Sequence, residues 1–187
     1  MRCFVAIDLD PELRSGVEDL QKGLKGFDVK LVEPYNLHFT LKFLGEVDNE
    51  TLERITSKLA EIASKFEPFE IDIKGVGCFP SENFIRVVWV GSDKLSDLQL
   101  AVNDSLNILD KEKPNLHDVE RQPISHLTIA RVRSQRYVKE IKAFANKNKS
   151  YKIGQMIVNA IKLKKSTVTP KGPVYEDLVT FNLSKRE

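Results

Sequence analysis

Short apolar runs and amphipathic stretches alternate along this chain of 187 residues. A continuous apolar run at 2–9 predicts a strand, and the Asp-Pro-Glu sequence at 10–12 predicts a helix start, because Asp caps helices and Pro fits their first turn. A second strand is predicted at 37–45 and a second helix beyond it, capped by Asp48 or Asn49. Strands and helices are therefore expected in alternation.

The same order of elements starts again in the second half of the chain. Strands are predicted at 85–90 and 126–133, with a helix between them that is capped by Ser92 or Asp93. The other predicted elements are a strand at 68–79, a charged link at 110–122, a helix at 136–147, and strands at 151–165 and 180–183. The offset between the opening strands is 86 − 2 = 84 residues, and that between the two histidine strands is 126 − 38 = 88. Such regularity indicates an internal duplication.

A chain of this length is too short for two independent domains of ordinary size. The sequence therefore predicts one domain over 1–187, with two lobes formed by repeats at roughly 1–80 and 85–187. Folding of the repeats about a pseudo-twofold axis would bring their equivalent strands face to face.

Each repeat carries one His-x-Thr-aliphatic tetrad, His38-Phe39-Thr40-Leu41 and His126-Leu127-Thr128-Ile129. Side chains alternate between the two faces of a strand, so the histidine and threonine of a tetrad share one face and the apolar pair shares the other. Imidazoles titrate near neutral pH, and threonine hydroxyls donate hydrogen bonds to phosphate oxygens. Two facing tetrads are thus suited to general acid and base catalysis on a phosphodiester.

Two other interpretations of the tetrads compete with this one. Each histidine can be a half-buried strand residue whose ring bonds to the backbone, but the matching positions in a repeat make this less favoured. A metal site could draw on the third imidazole, His117, yet no carboxylate or cysteine stands at ligand spacing near either tetrad. We therefore expect no metal and a surface position for His117.

Composition limits the function classes without choosing one. The chain is 41% hydrophobic and 30% charged with a net charge of +2, which excludes a strongly basic nucleic-acid coat but allows a local basic groove. No apolar run is long enough to span a bilayer, and the N-terminus turns acidic too soon for a signal peptide. We expect a cytoplasmic protein, a monomer without membrane contact, in which Cys3 and Cys78 are buried free thiols.

With both tetrads and their flanks, Lys42-Phe43-Leu44-Gly45-Glu46 and Ala130-Arg131, the chain resembles the two-histidine phosphoesterase superfamily and its branch of RNA 2′,3′-cyclic phosphodiesterases, also called 2′-5′ RNA ligases. Further similarity lies in Arg2-Cys3-Phe4-Val5-Ala6-Ile7, Gly77-Cys78-Phe79-Pro80, Arg86-Val87-Val88-Trp89 and Gly172-Pro173-Val174-Tyr175. The resemblance implies a two-lobed α+β fold in which antiparallel sheets face a central groove, with the helices outside.

The resemblance also implies roles for single residues. His38 would be the proton donor to the departing ribose oxygen, His126 the proton acceptor that activates water, and Thr40 and Thr128 the phosphate binders. The residues alone leave open which imidazole is acid and which is base. The expected substrate is RNA with a 2′,3′-cyclic phosphate end or a related cyclic nucleotide, the product is a 2′-phosphate, reverse 2′-5′ ligation is possible, and no cofactor is required.

Further candidate substrate-binding residues are less well defined by the pattern. Lys42 stands at even spacing from His38 and is expected on the same face, where it would add positive charge. Arg131 lies three residues after Thr128 and would face away unless a bulge or bend turns it; it either grips RNA or pairs with a carboxylate. The aromatic residues with two possible roles, base stacking or core packing, are Phe79, Trp89 and Tyr175.

The leading hypothesis is metal-independent hydrolysis of RNA 2′,3′-cyclic phosphodiester ends. The alternatives are hydrolysis of another cyclic or 2′-5′ nucleotide phosphodiester and, from a different class, a non-catalytic RNA-binding module.

Overall fold

The computed structural model describes residues 1–110, 125–170 and 172–184. The predicted α+β class is confirmed. The strands are β1 (Arg2–Asp8), β2 (Val29–Leu31), β3 (His38–Glu46), β4 (Phe69–Ser81), β5 (Phe84–Ser92), β6 (His126–Val132), β7 (Lys152–Val158), β8 (Ala160–Thr169) and β9 (Gly172–Asn182). The helices are α1 (Arg14–Lys22), α2 (Asn49–Ala63), α3 (Ser96–Asp110) and α4 (Val138–Lys147), and short 3-10 turns lie at Pro11–Leu13, Pro34–Asn36 and Gln135–Tyr137.

Side-chain caps start the 3-10 turn before α1 and the helix α2, as the sequence predicts. The Asp10 carboxylate accepts from the backbone N–H of Glu12 at 3.0 Å, and Asp48 accepts from that of Thr51 at 2.8 Å. The first segment is a 3-10 turn that continues into α1. In the second repeat α3 begins at Ser96, two or three residues later than caps at Asp93 or Ser92 predict.

All strands pair antiparallel in one sheet of order β7-β4-β5-β6-β3-β1-β8-β9, with β2 paired to β6. One residue pair, Phe39 and Leu127, joins the two halves of this sheet. The expected antiparallel sheets are thus the two halves of one open sheet, which a narrow connection joins in the middle. The apolar side chains of one face pack with the helices into a common core, which includes Phe39, Leu41, Leu127 and Ile129.

The two halves of the sheet do not coincide with the predicted repeats at 1–80 and 85–187. Strand β4 from the first repeat pairs with β5, and β8 from the second repeat pairs with β1. Each half of the sheet therefore contains strands from both repeats.

Two predicted strands differ from the structure for a related reason. The predicted strand at 151–165 is interrupted at Asn159, because its first part pairs with β4 and its second part pairs with β1 in the other half of the sheet. The predicted last strand at 180–183 is the end of the much longer β9, which pairs with β8 along its whole length. Most of the predicted link at 110–122, including His117, lies outside the described residues.

Cys3 is buried and Cys78 is half-buried, and both are free thiols. Burial raises the pKa of Cys78 to about 11, so this side chain stays a neutral thiol at physiological pH. Among the described helices, none combines the length and the apolar character that a membrane crossing requires.

Candidate active site

The two tetrads lie side by side at the centre of the sheet. Phe39 in β3 stands opposite Leu127 in β6, and both side chains are fully buried under the helices. The antiparallel register consequently sets His38 opposite Thr128 and His126 opposite Thr40, all on the face that the helices leave uncovered. The two imidazoles are diagonal neighbours on this face, which we call the groove face.

The ring of His38 is held at both nitrogens. Its Nδ1 lies 2.7 Å from the carbonyl oxygen of Asn36, and its Nε2 lies 3.1 Å from Oγ1 of Thr40. A carbonyl oxygen accepts only, so Nδ1 carries a hydrogen and donates it. The proton that His38 gains and loses must therefore be the one on Nε2, beside the threonine hydroxyl.

Burial lowers the pKa of His38 to about 4. The bond to the Asn36 carbonyl and the charge of Asp8 oppose this shift, whereas the positive charges of Lys164 and Arg131 add to it. His38 is consequently neutral at pH 7 in the ligand-free protein, and an anion bound beside it would favour its protonated form.

Aromatic rings surround both histidines. Phe4 and Tyr175 pack on the ring of His38 with centroid distances of 5.1 Å and 5.2 Å, Tyr175 in an edge-on arrangement. Phe79 packs edge-on against the ring of His126 at 4.9 Å, and Trp89 lies 5.0 Å from Phe79. The sequence left both base stacking and core packing open for three aromatic residues. The structure places each of them half-buried beside a histidine: Phe79, Trp89 and Tyr175.

The ring of Trp89 lies directly on Gly77 of the neighbouring strand. A Cβ atom at Gly77 would come within 2.2 Å of this ring, so the position requires glycine. Gly91 stands opposite His126, at the place that Asp8 occupies opposite His38. The residue opposite His126 thus has no side chain, whereas the residue opposite His38 carries a carboxylate.

The expected position of Lys42 beside the tetrad is wrong. Thr40 pairs with Ala6 and Lys42 pairs with Val5, so Leu41 is an extra residue that forms a β-bulge. The bulge turns Lys42 to the helix side, where it is only 2% exposed and donates to Oδ1 of Asn107 at 2.8 Å. Strand alternation, on which the prediction relied, is interrupted here.

The second tetrad contains the same bulge, and it brings Arg131 to the groove face. Thr128 pairs with Trp89 and Ala130 with Val88, which leaves Ile129 as the extra residue. Arg131 is exposed, and its positive charge lowers the pKa of His38 from across the strand pair. The sequence pattern required a bulge or bend to turn Arg131 towards the tetrad side, and the bulge at Ile129 does so.

A ring of four charges borders His38, and sequence reasoning missed it. Lys162 donates to Asp8 at 2.8 Å and to Asp177 at 2.6 Å, and the nearly buried Lys164 lies 2.8 Å and 2.6 Å from the same two carboxylates. Burial would raise the pKa of Asp177, but the bonds from the two lysines outweigh it and lower that pKa. The even spacing of Lys162 and Lys164 on one strand was the available signal. Within the described ranges, no three His, Cys, Asp or Glu side chains form a metal-ligand cluster.

Known proteins resemble this chain over nearly its whole length. Residues 7–89 match the family described as LigT-like phosphoesterase. The RNA 2′,3′-cyclic phosphodiesterase of Methanothermobacter thermautotrophicus is 40% identical over 189 residues, covering 98% of this chain and 99% of that protein. The protein of the same name from Archaeoglobus fulgidus is 41% identical and covers 97% of this chain and 99% of its own length.

Solved structures share the fold over nearly the whole chain. The structure of TT0787 from Thermus thermophilus matches with a TM-score of 0.83 at 28% identity and covers 98% of both chains. Escherichia coli LigT in complex with 3′-AMP matches with a TM-score of 0.74 at 22% identity over the same share of each chain. At 22% identity, the similarity to LigT shows a shared fold only.

Proposed function

This chain belongs to the LigT-like phosphoesterases, the family of its RNA 2′,3′-cyclic phosphodiesterase relatives, and from that premise we propose that it hydrolyses RNA 2′,3′-cyclic phosphodiester ends to 2′-phosphates. His38 and His126 are the proposed catalytic residues. The observation that carries the proposal is the pairing of the two tetrads, which sets two imidazoles and two threonine hydroxyls together on one open face.

The reaction requires a general base that accepts a proton and a general acid that donates one. In our proposal His126 accepts a proton from water as the water oxygen attacks phosphorus. The bond from phosphorus to the 3′ oxygen breaks, and Nε2 of His38 delivers a proton to that oxygen. The products are a 2′-phosphate and a free 3′ hydroxyl, and proton exchange with solvent resets the two histidines.

Thr40 and Thr128 are proposed to hold the non-bridging phosphate oxygens. Thr40 Oγ1 lies 3.1 Å from Nε2 of His38, so a phosphate bonded to this hydroxyl sits beside the imidazole that must donate. The negative charge of the phosphate opposes the burial effect and raises the pKa of His38, which loads the acid once substrate is bound. Arg131 is proposed to add positive charge where the pentacoordinate phosphorus develops.

The test is product analysis on an oligonucleotide with a 2′,3′-cyclic phosphate end, in excess EDTA. We expect the wild-type protein to form the 2′-phosphate, and His38→Asn and His126→Asn each to lower kcat by about 10² to 10⁴. Thr40→Val should raise KM because it removes a phosphate contact. Formation of a 3′-phosphate, or equal turnover by the wild type and both histidine variants, would contradict the proposal.

A further inference from the structure

Both β-bulges are bonded by a buried glutamine from the other repeat. Gln21 of α1 is 4% exposed, and its Nε2 donates to the carbonyl oxygen of Ile129 at 2.8 Å. Gln99 of α3 is 6% exposed, and its Nε2 donates to the carbonyl oxygen of Leu41 at 3.3 Å. Each acceptor is the extra residue of a tetrad, and each donor comes from the helix of the opposite repeat.

Each glutamine also bonds to the segment that leads into the tetrad of its own repeat. Gln21 Nε2 donates to the carbonyl oxygen of Val32 at 2.9 Å, upstream of His38. The Oε1 of Gln99 accepts from the hydroxyl of Ser125 at 2.9 Å, and Ser125 directly precedes His126. Each amide therefore links the bulge of one tetrad to the entry of the other.

We propose that Gln21 and Gln99 are positioning residues that fix the two bulges and so hold the two tetrads in their mutual arrangement. The amide of Gln99 bonds to the carbonyl of the extra residue Leu41, and that of Gln21 adds a second bond to the carbonyl of Ile129, which also accepts from the backbone N–H of Val32 at 2.9 Å. By holding the bulge at Ile129, Gln21 keeps Arg131 on the groove face. By holding the bulge at Leu41, Gln99 keeps the tetrad strand that carries His38 and Thr40 in its orientation. This inference rests on the proposed phosphodiesterase activity and assigns residues outside the groove to it.

The kinetic test uses two variants in α3 and one at Ser125, the residue that bonds to Gln99. Gln99→Met keeps the side-chain length without a donor, and Ser125→Ala removes only the group that orients the amide. The matched control is Asn103→Leu, one turn further along α3, because Asn103 is equally buried at 7% exposure. A shift of the reacting groups by about 1 Å can cost about a hundredfold in rate while the phosphate is still bound.

We expect Gln99→Met to lower kcat at least tenfold with KM changed less than threefold, Ser125→Ala to lower kcat by about threefold, and Asn103→Leu to stay within twofold. Wild-type kcat in Gln99→Met, or an equal fall in Asn103→Leu, overturns the proposal. If Gln99→Met does not fold, Ser125→Ala decides by the same criterion.

A second readout does not depend on turnover. Arg131 contributes to the low pKa of His38, so its displacement in Gln21→Met should raise the pKa that NMR titration measures for His38, whereas Asn103→Leu should leave that pKa unchanged. An unchanged pKa in folded Gln21→Met overturns the positioning role. If the wild-type protein hydrolyses no cyclic phosphate, the proposed function fails, and this titration still tests the positioning role of Gln21.

Discussion

Two histidines with the same local sequence occupy different chemical surroundings. His38 pairs with Asp8 across the strands and borders the ring of lysines and aspartates, whereas His126 pairs with Gly91 and packs on aromatic rings. The two tetrads thus place their imidazoles alike but set different residues opposite them. This difference gives the two residues a physical basis for unlike roles, which the tetrads themselves do not contain.

The low pKa of His38 should make stability depend on pH. In the unfolded chain this histidine has a pKa of about 6.5, while burial lowers it to about 4 in the folded protein. Between these pH values the unfolded state binds more protons than the folded state. Protonation of His38 therefore costs no stability above about pH 6.5, and the free energy of unfolding falls as the pH is lowered towards 4. The loss amounts to at most about 3 kcal/mol.

Urea unfolding at pH 7.5 and pH 4.5 measures this contribution. The free energy of unfolding of His38→Asn should fall less between the two pH values than that of the wild type, because the variant has no imidazole to protonate at this site. All other titrating groups are common to both proteins and cancel in the comparison. Equal losses in the two proteins would show that His38 is not protonated differently in the folded state.

At the level of elements, one extra residue in each tetrad strand decides which of its side chains face the groove. The bulges at Leu41 and Ile129 reverse strand alternation, so the residue two places after each bulge faces the groove. In the first repeat that residue is Phe43, which packs on Phe4, and in the second repeat it is Arg131. The corresponding positions on the helix side are Lys42 and Ala130.

A pair of substitutions tests this consequence of the bulges. Arg131→Met should raise KM for the cyclic phosphate by about tenfold or more and weaken its salt dependence, because a charge-assisted contact is lost. Lys42→Met should change KM less than threefold, since its ammonium bonds to Asn107 under the helices. A larger effect of Lys42→Met than of Arg131→Met on KM would place the lysine on the substrate side.

Over the whole molecule, the two halves of the sheet depend on each other for their strands. The pairing of β4 with β5 and of β8 with β1 means that neither repeat contains all the neighbours of its own strands. A fragment of residues 1–82 would expose the edge of β1 that pairs with β8 and the edge of β3 that pairs with β6. It would also lack a large part of the common core.

We expect fragments 1–82 and 83–187 each to be unfolded alone and to recover native signal when mixed. Circular dichroism and the dispersion of amide NMR signals measure both states, and His38→Asn in the first fragment provides a folded but inactive mixture as the control. A well-dispersed spectrum from either fragment alone would show that a repeat folds by itself and that the exchange of strands is dispensable.

The sequence by itself determined the tetrads, their duplication, the α+β class and most helices, because these depend on local periodicity, capping and residue type. His38, Thr40, His126 and Thr128 could be selected since they recur at matching positions. Tertiary structure alone decided which strands are neighbours, where the bulges lie and which charges surround each histidine. Those features arise from pairing between residues far apart in sequence, as the opposite positions of Lys42 and Arg131 show.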